Sequence, residues 1–237
     1  MKNTKDLSEL ELKLGIKFIN KKLLKTALTH RSYLNENHSE DIENNERLEF
    51  LGDAVLELIT TEYLFLQHPQ RPEGELTSFR SALVKTTSLG DTALELTIGE
   101  YIFMSKGEEV TGGRTRPYIL ANTFESILGA IYLDQGYKVS RNFVIEKLFP
   151  KLNEIIENRL DIDSKSKLQE LSQEVLNFTP IYELKSAVGP DHDKEFLMSV
   201  KIVNRVFGEG KGKSKQEAEQ NAAQYALDHW QDLVSQT

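Results

Sequence analysis

The chain has 237 residues, 39% apolar and 28% charged, a composition of folded rather than disordered proteins. It contains no cysteine, which excludes disulfides, thiolate zinc sites, iron–sulfur clusters and cysteine nucleophiles. The net charge of −8 excludes a globally basic nucleic-acid binder but leaves room for a locally basic one.

Residues 1–13 carry charges every few positions and lack the apolar centre of a signal peptide. No stretch approaches the ~18 apolar residues of a membrane span, so a cytoplasmic protein without membrane contacts is expected. Apolar residues recur at helical spacing over Leu7–Leu14, Leu23–Thr29, Leu48–Leu66, Leu76–Leu96, Ile119–Leu133 and Val139–Ile156. Pro69 and Pro72 close one segment, Gly74 stands before the next, and Gly136 ends another. Residues 1–160 therefore read as an all-α domain.

The pattern changes near Leu160. The polar run Asp161–Ser166 reads as a linker, followed by a helix over about Ser166–Leu176 with Leu168, Leu171 and Val175 on one face. Period-two alternation then predicts strands over Ile181–Val188 and Glu195–Val203, with a turn at Gly189–Asp191. A third short strand is expected around Arg205–Phe207. Ser214 and Glu217 have capping-box spacing for a final helix whose small face is Ala218, Ala222, Tyr225 and Ala226. Residues 161–237 thus read as a small α-β-β-β-α domain.

Chemistry concentrates first in the helix that opens near Glu46. Glu46, Glu49 and Asp53 fall at i, i+3 and i+7 and share one face. Leu48, Leu51, Val55 and Leu58 form an apolar stripe beside it. Stacked carboxylates repel, which a solvated surface or a bound cation relieves. Both readings stand on spacing alone. Oxygen ligands without cysteine or histidine favour a hard cation, Mg²⁺ or Mn²⁺. Asn122 and Glu125, at i and i+3 on another amphipathic helix, are suited to complete such a site. Gly52, inside a helix at a cost of ~1 kcal/mol, points to close approach of a second backbone.

Other chemistry lacks support. The five histidines (His30, His38, His68, His192 and His229) show no metal-ligand spacing, and His30 reads as packed or hydrogen-bonded. There is no G-x-S-x-G elbow, and Gly107–Gly113 matches no phosphate loop or dinucleotide fingerprint, so no organic cofactor is expected.

The run Asn45–Leu56 closely resembles the signature of the ribonuclease III family. Ala27–Tyr33, Gly74–Thr77, Arg80–Val84, Gly107–Arg114 and Ile119–Gly136 resemble its other motifs, in the family's order. The resemblance implies a Mg²⁺-dependent endoribonuclease that cuts double-stranded RNA as a homodimer. It implies 5′-phosphate products with short 3′ overhangs, and substrates such as ribosomal RNA precursors. It assigns Glu49, Asp53, Asn122 and Glu125 to the metal, and Asp53, Glu125 and Glu46 to catalysis. Phe50, Leu51, Val55 and Leu58 become a dimer surface. Asn122 departs from the family's usual aspartate, which implies weaker Mg²⁺ binding. The alternative is a duplex-RNA binder whose cleavage is weak or absent.

The second domain resembles a double-stranded RNA-binding domain, through Leu168–Glu170 and Gly210–Glu219. Such domains read shape across two minor grooves and the phosphates between. The resemblance implies RNA contacts by Gln169, Glu170, His192, Lys213 and Lys215. From Asp163 to Asp232 there are nine Lys and Arg against twelve Asp and Glu, a net of −3. Gln216 stands where the family usually has a second basic residue. Weaker binding is therefore expected.

Overall fold

A computed structural model describes residues 6–37, 43–157, 163–190 and 194–234. The chain forms two compact units that part near residue 161.

The first unit is helical. It runs through α1 (Leu7–Leu14), α2 (Lys21–Ala27), α3 (Arg31–Leu34), α4 (Glu46–Gln67), α5 (Glu73–Val84), α6 (Thr86–Glu95), α7 (Lys106–Val110), α8 (Pro117–Lys147) and α9 (Pro150–Glu157). Short 3₁₀ turns at Ile98–Tyr101 and Gly113–Thr115 flank α7. Asp6, Asn20 and Ser105 cap α1, α2 and α7 with side-chain oxygens that accept backbone N–H bonds.

The expected segment Leu76–Leu96 is two helices. Lys85 adopts an extended conformation (φ −62°, ψ 150°) between α5 and α6, and no glycine or proline signals the break. Gly74 lies inside the first turn of α5, because Pro72 already occupies the N-cap. Gly136 breaks α8 as expected, at φ 80° and ψ −177°. Phe124 and Phe143, from the two sides of that break, stack at 5.5 Å in the core.

The centre of the unit is the crossing of α4 and α8. A Cβ on Gly52 would lie 1.8 Å from the Glu125 carbonyl oxygen, and one on Gly129 would lie 2.2 Å from the Leu48 carbonyl oxygen. The two helices therefore touch backbone to backbone. Gly52 is tolerated in a helix because this contact needs it.

The second unit holds α10 (Ser164–Leu176), β1 (Ile181–Val188), β2 (Glu195–Ile202), β3 (Arg205–Gly212), α11 (Lys215–Asp228) and α12 (Trp230–Val234). The strands form an antiparallel sheet in the order β1-β2-β3. The expected linker ends early, because the Asp163 carboxylate accepts from Lys165 N (3.0 Å) and Ser166 N (3.1 Å) and starts α10 at Ser164. The buried face of α10 is Leu168 and Ser172 with partly buried Leu176, rather than Leu171 and Val175. Val175 is exposed. The Ser172 hydroxyl donates to the Phe178 carbonyl at 2.6 Å, which lets a serine occupy that core position.

β3 extends five residues beyond the expected strand. Its glycines explain both the strand and its invisibility. A Cβ on Gly208, Gly210 or Gly212 would lie 2.4, 2.1 or 2.6 Å from the backbone of α11. The helix rests directly on this strand, so its inward positions carry no side chain to alternate. Among the described residues, no helix is long and apolar enough to cross a membrane.

Candidate nuclease site and nucleic-acid face

The α4–α8 contact places the predicted acidic residues. Glu49 and Asp53 lie one and two turns into α4, and Asn122 and Glu125 lie in the first turns of α8. The Asn122 side chain stands near enough to the Glu49 carboxylate to favour its charged form. Burial pushes the Glu125 carboxyl up to about 7, and the charges of Asp53 and Glu49 push it the same way. Glu49 is also raised, first by burial and then by the charge of Glu46. Four side chains from segments some seventy residues apart thus interact at one place.

Glu46 sits at the rim. It accepts from the Asn44 amide (3.1 Å) and pairs loosely with Arg31 (3.8 Å). Among the described residues, no three His, Cys, Asp or Glu side chains close into a finished metal cage. The donor set nevertheless fits a hard, hydrated cation. It consists of oxygens only, it is strained by mutual repulsion, and Mg²⁺ commonly takes one or two carboxylates and keeps its waters.

Sequence reasoning missed the other side of this site. Beside Glu46, Glu49 and Asn122 opens a cleft of ≈ 390 Å³ that His30, Arg31, Glu108 and Tyr118 also line. Backbone bonds assemble it. Phe103 N donates to the Leu28 carbonyl (2.8 Å), His30 N to the Phe103 carbonyl (2.9 Å), and Asn45 N to the Thr29 carbonyl (2.9 Å). Arg114 folds the 99–114 loop by donating to the Gly99 (2.7 Å) and Ile102 (3.1 Å) carbonyls while pairing with Glu109 (2.7 Å). Arg116 pairs with Glu108 and donates to the Tyr118 hydroxyl (3.1 Å). His30 is hydrogen-bonded, as expected. Its Nδ1 accepts from Ser32 N (3.3 Å) and caps α3, and burial lowers its pKa. No periodicity marks these residues, because they converge through loops.

The apolar stripe on α4 divides. Phe50 (81% exposed) and Leu58 (58% exposed) face outward, and Leu51 is half-buried. Val55, at 6% exposure, is a correction to the expected dimer surface. It turns towards α8 with Leu48 and Leu56 and serves its own core.

In the second unit Gln169 and Glu170 lie exposed on α10. Lys213 and Lys215 are exposed where β3 turns into α11. Lys211 belongs to β3 and pairs with Glu195 across the sheet (3.3 Å). The cap of α11 departs slightly from a capping box. Ser214 Oγ accepts from Glu217 N (3.1 Å), but the Glu217 carboxylate accepts from Lys213 N (2.7 Å). His192 lies outside the described residues.

Comparisons with known proteins agree with this arrangement. The Ribonuclease-III-like family model matches residues 20–152, and the double-stranded RNA binding motif matches residues 164–229. A curated relative, Ribonuclease 3 of Geobacillus thermodenitrificans, is 48% identical over 220 residues, 93% of this chain and 89% of the relative. Ribonuclease 3 of Desulforamulus reducens is 45% identical over 98% of this chain and 94% of its own length. Among solved structures, the nuclease domain of ribonuclease III from Campylobacter jejuni matches with a TM-score of 0.57 and 40% identity. That match covers 61% of this chain and 97% of that domain, and the structure was described for flexibility in a region involved in dimer formation. A helical domain with converging carboxylates, followed by an α-β-β-β-α domain, defines a nuclease with an attached RNA-binding module. The chain belongs to the ribonuclease III family and is an endoribonuclease.

Proposed function

We propose that the chain cuts double-stranded RNA in a reaction that needs a divalent cation, Mg²⁺ with Mn²⁺ as a substitute. The observation that carries this reading is the meeting of Glu49, Asp53, Asn122 and Glu125 across the Gly52–Gly129 contact. These four residues would hold the cation. Bound there, it would activate water and offset charge on the leaving oxygen of a phosphodiester. Asn122 steadies the Glu49 carboxylate through its amide. Asp53 and Glu125 carry the charge nearest the reacting phosphate, and Glu46 supports them from the rim.

Cutting leaves 5′-phosphates and short 3′ overhangs. The protein acts in the cytoplasm as a homodimer through the face that bears Phe50, Leu51 and Leu58. Gln169 and Glu170 touch 2′-hydroxyls, while Lys213 and Lys215, with His192, hold the duplex. Ribosomal RNA precursors and other structured transcripts are its substrates.

A second reading, a duplex-RNA binder with weak or no cleavage, has one observation on its side. Asn122 brings an amide to a position that would otherwise add a charge. One experiment separates the two. Purified protein is mixed with long double-stranded RNA, single-stranded RNA or duplex DNA, in Mg²⁺ or EDTA. Mg²⁺-dependent shortening of the RNA duplex alone, to 5′-phosphate ends, supports the enzyme. Retained duplex binding without cutting, at any Mg²⁺ or Mn²⁺ concentration, supports the binder.

A further inference from the structure

The cleft beside the carboxylates is also lined by donors, alongside Glu108, which pairs with Arg116. His30 stands in it, and its hydrogen bonds determine which ring nitrogen carries the proton. Nδ1 lies 3.3 Å from Ser32 N and 2.8 Å from Ser32 Oγ. A backbone N–H can only donate, so Nδ1 must accept. The Ser32 hydroxyl oxygen already accepts from Ser105 N at 3.0 Å, which leaves its own proton free to point at Nδ1. With Nδ1 filled by two donors, the neutral ring carries its proton on Nε2.

That Nε2–H has no hydrogen-bond partner among the described residues, and it belongs to a residue lining the cleft. A donor at the wall of an open cleft is available to water or to a bound ligand. The ring is also held firmly. The His30 backbone donates to Phe103 and accepts from Tyr33 N (2.9 Å), so neither backbone nor imidazole is free to turn away. Arg31 brings a guanidinium to the same cleft. Tyr118 brings a hydroxyl whose oxygen accepts from Arg116, leaving its proton to donate outward. Glu46, Glu49, Glu108 and Asn122 line the cleft together with Arg31, His30 and Tyr118. A group that lies there needs acceptor oxygens towards the donors and must tolerate a cation beside it. A phosphodiester meets both conditions.

We infer that His30 is a substrate-contacting residue whose Nε2–H hydrogen-bonds a non-bridging oxygen of an RNA backbone phosphate in this cleft. The inference rests on the proposed cleavage of duplex RNA and adds to it a neutral, pre-oriented phosphate donor supplied by neither α4 nor α8. The ring contributes no positive charge, so its contact should release no counterion.

Two substitutions separate this role from the structural one. In His30→Asn the side-chain oxygen can replace Nδ1 as the cap of α3, but nothing reaches the Nε2 position. In His30→Gln the amide nitrogen reaches the Nε2 position while the cap is lost. Cleavage of a short RNA duplex is measured over a range of salt for the parent and both variants, with thermal unfolding beside it.

The expected result for His30→Asn is a KM about tenfold higher, a kcat within about threefold and an unchanged melting temperature. Loss of a contact made equally in ground and transition states raises KM alone. His30→Gln should recover most of the KM despite a lower melting temperature. The slope of log KM against log salt should match the parent in both. If KM follows the melting temperature instead of the Nε2 position, His30 only caps α3 and the inference is wrong. A smaller salt slope in His30→Asn would make His30 a cation and also overturn it. A parent that leaves the duplex uncut overturns the proposed function and this inference together. A parent that cuts, with His30→Asn unchanged, overturns the inference alone.

Discussion

In the helical unit, Gly52 and Gly129 bring α4 and α8 into backbone contact. In the α+β unit, Gly208, Gly210 and Gly212 let α11 lie on β3. The first contact carries the proposed chemistry, because the side chains on either side of it (Glu49 and Asp53, Asn122 and Glu125) come from two distant segments. The second contact carries none. Its polar residues lie on the outer surfaces of α10 and of the β3–α11 turn, each presented by a single local element. A convergent site depends on the spacing of two backbones, whereas a surface tolerates small shifts and adds its contacts one by one.

The sharpest test of that contrast is Gly52→Ala against Gly210→Ala. Each added methyl meets backbone that cannot rotate away, so each should cost at least about 3 kcal/mol. Gly52→Ala should also abolish cleavage in whatever protein remains folded, because separating α4 from α8 parts the carboxylates. Gly210→Ala should unfold the second unit and leave the helical unit's unfolding transition in place. Calorimetry on both variants reads this directly, and a single shared transition would break the comparison.

Next in size is Glu125→Gln, which should remove cleavage while leaving duplex binding intact. Its stability without metal should move the other way. The folded-state pKa of Glu125 is raised to about 7 from 4.5, so the folded protein holds a proton that the unfolded chain has released. Below about pH 4.5 both forms are protonated and the carboxyl costs nothing. The cost grows as pH rises from 4.5 and is complete above about 7. The shift itself sets an upper bound of ~3 kcal/mol. Solvent at this half-buried group reduces it to about 1–2 kcal/mol. Melting temperatures in EDTA should therefore fall between pH 4.5 and 7 in the parent and fall less in Glu125→Gln. Parallel curves would show that the buried carboxyl is not strained.

Smaller effects belong to the surface. Ending the chain at Leu160 should weaken duplex cleavage mainly at higher salt, since phosphate contacts act through counterion release. A loss equal at all salt concentrations would point to the helical unit itself. Asn122→Asp should lower the Mg²⁺ concentration for half-maximal rate severalfold, and an unchanged value would remove position 122 from the cation's surroundings. Smallest is Val203→Asn. Val203 (φ 51°) and Asn204 (φ 64°) form the tight β2–β3 turn, and a β-branched residue is strained there. Asparagine should raise the stability of the second unit by about 0.5–1 kcal/mol in chemical denaturation.

That same turn shows why parts of the fold were hard to read. Valine at a positive φ carries no turn signal, and glycine at alternate positions of β3 erases the apolar alternation that marks a strand. Lys211 therefore lies beyond the expected strand although it belongs to β3. Lys85 interrupts two helices with an ordinary side chain, and tertiary packing alone selects its extended conformation. Val55 fell in the apolar stripe with Leu58, but helix pitch turns one into the core and the other out.

The sequence by itself determined the division into a helical and an α+β domain, the acidic face of α4, the Asn122–Glu125 pair and the need for close contact at Gly52. These are properties of periodicity and local spacing, which act within a few turns of chain. Only the tertiary structure decided that Glu125 is buried enough to hold its proton to about pH 7, that Asn122 stands beside Glu49, and that His30 lines the same cleft. Those outcomes depend on desolvation and on distances between segments far apart in the chain. Both are set by how closely two glycines let α4 and α8 approach and by where the 99–116 loop is tied down.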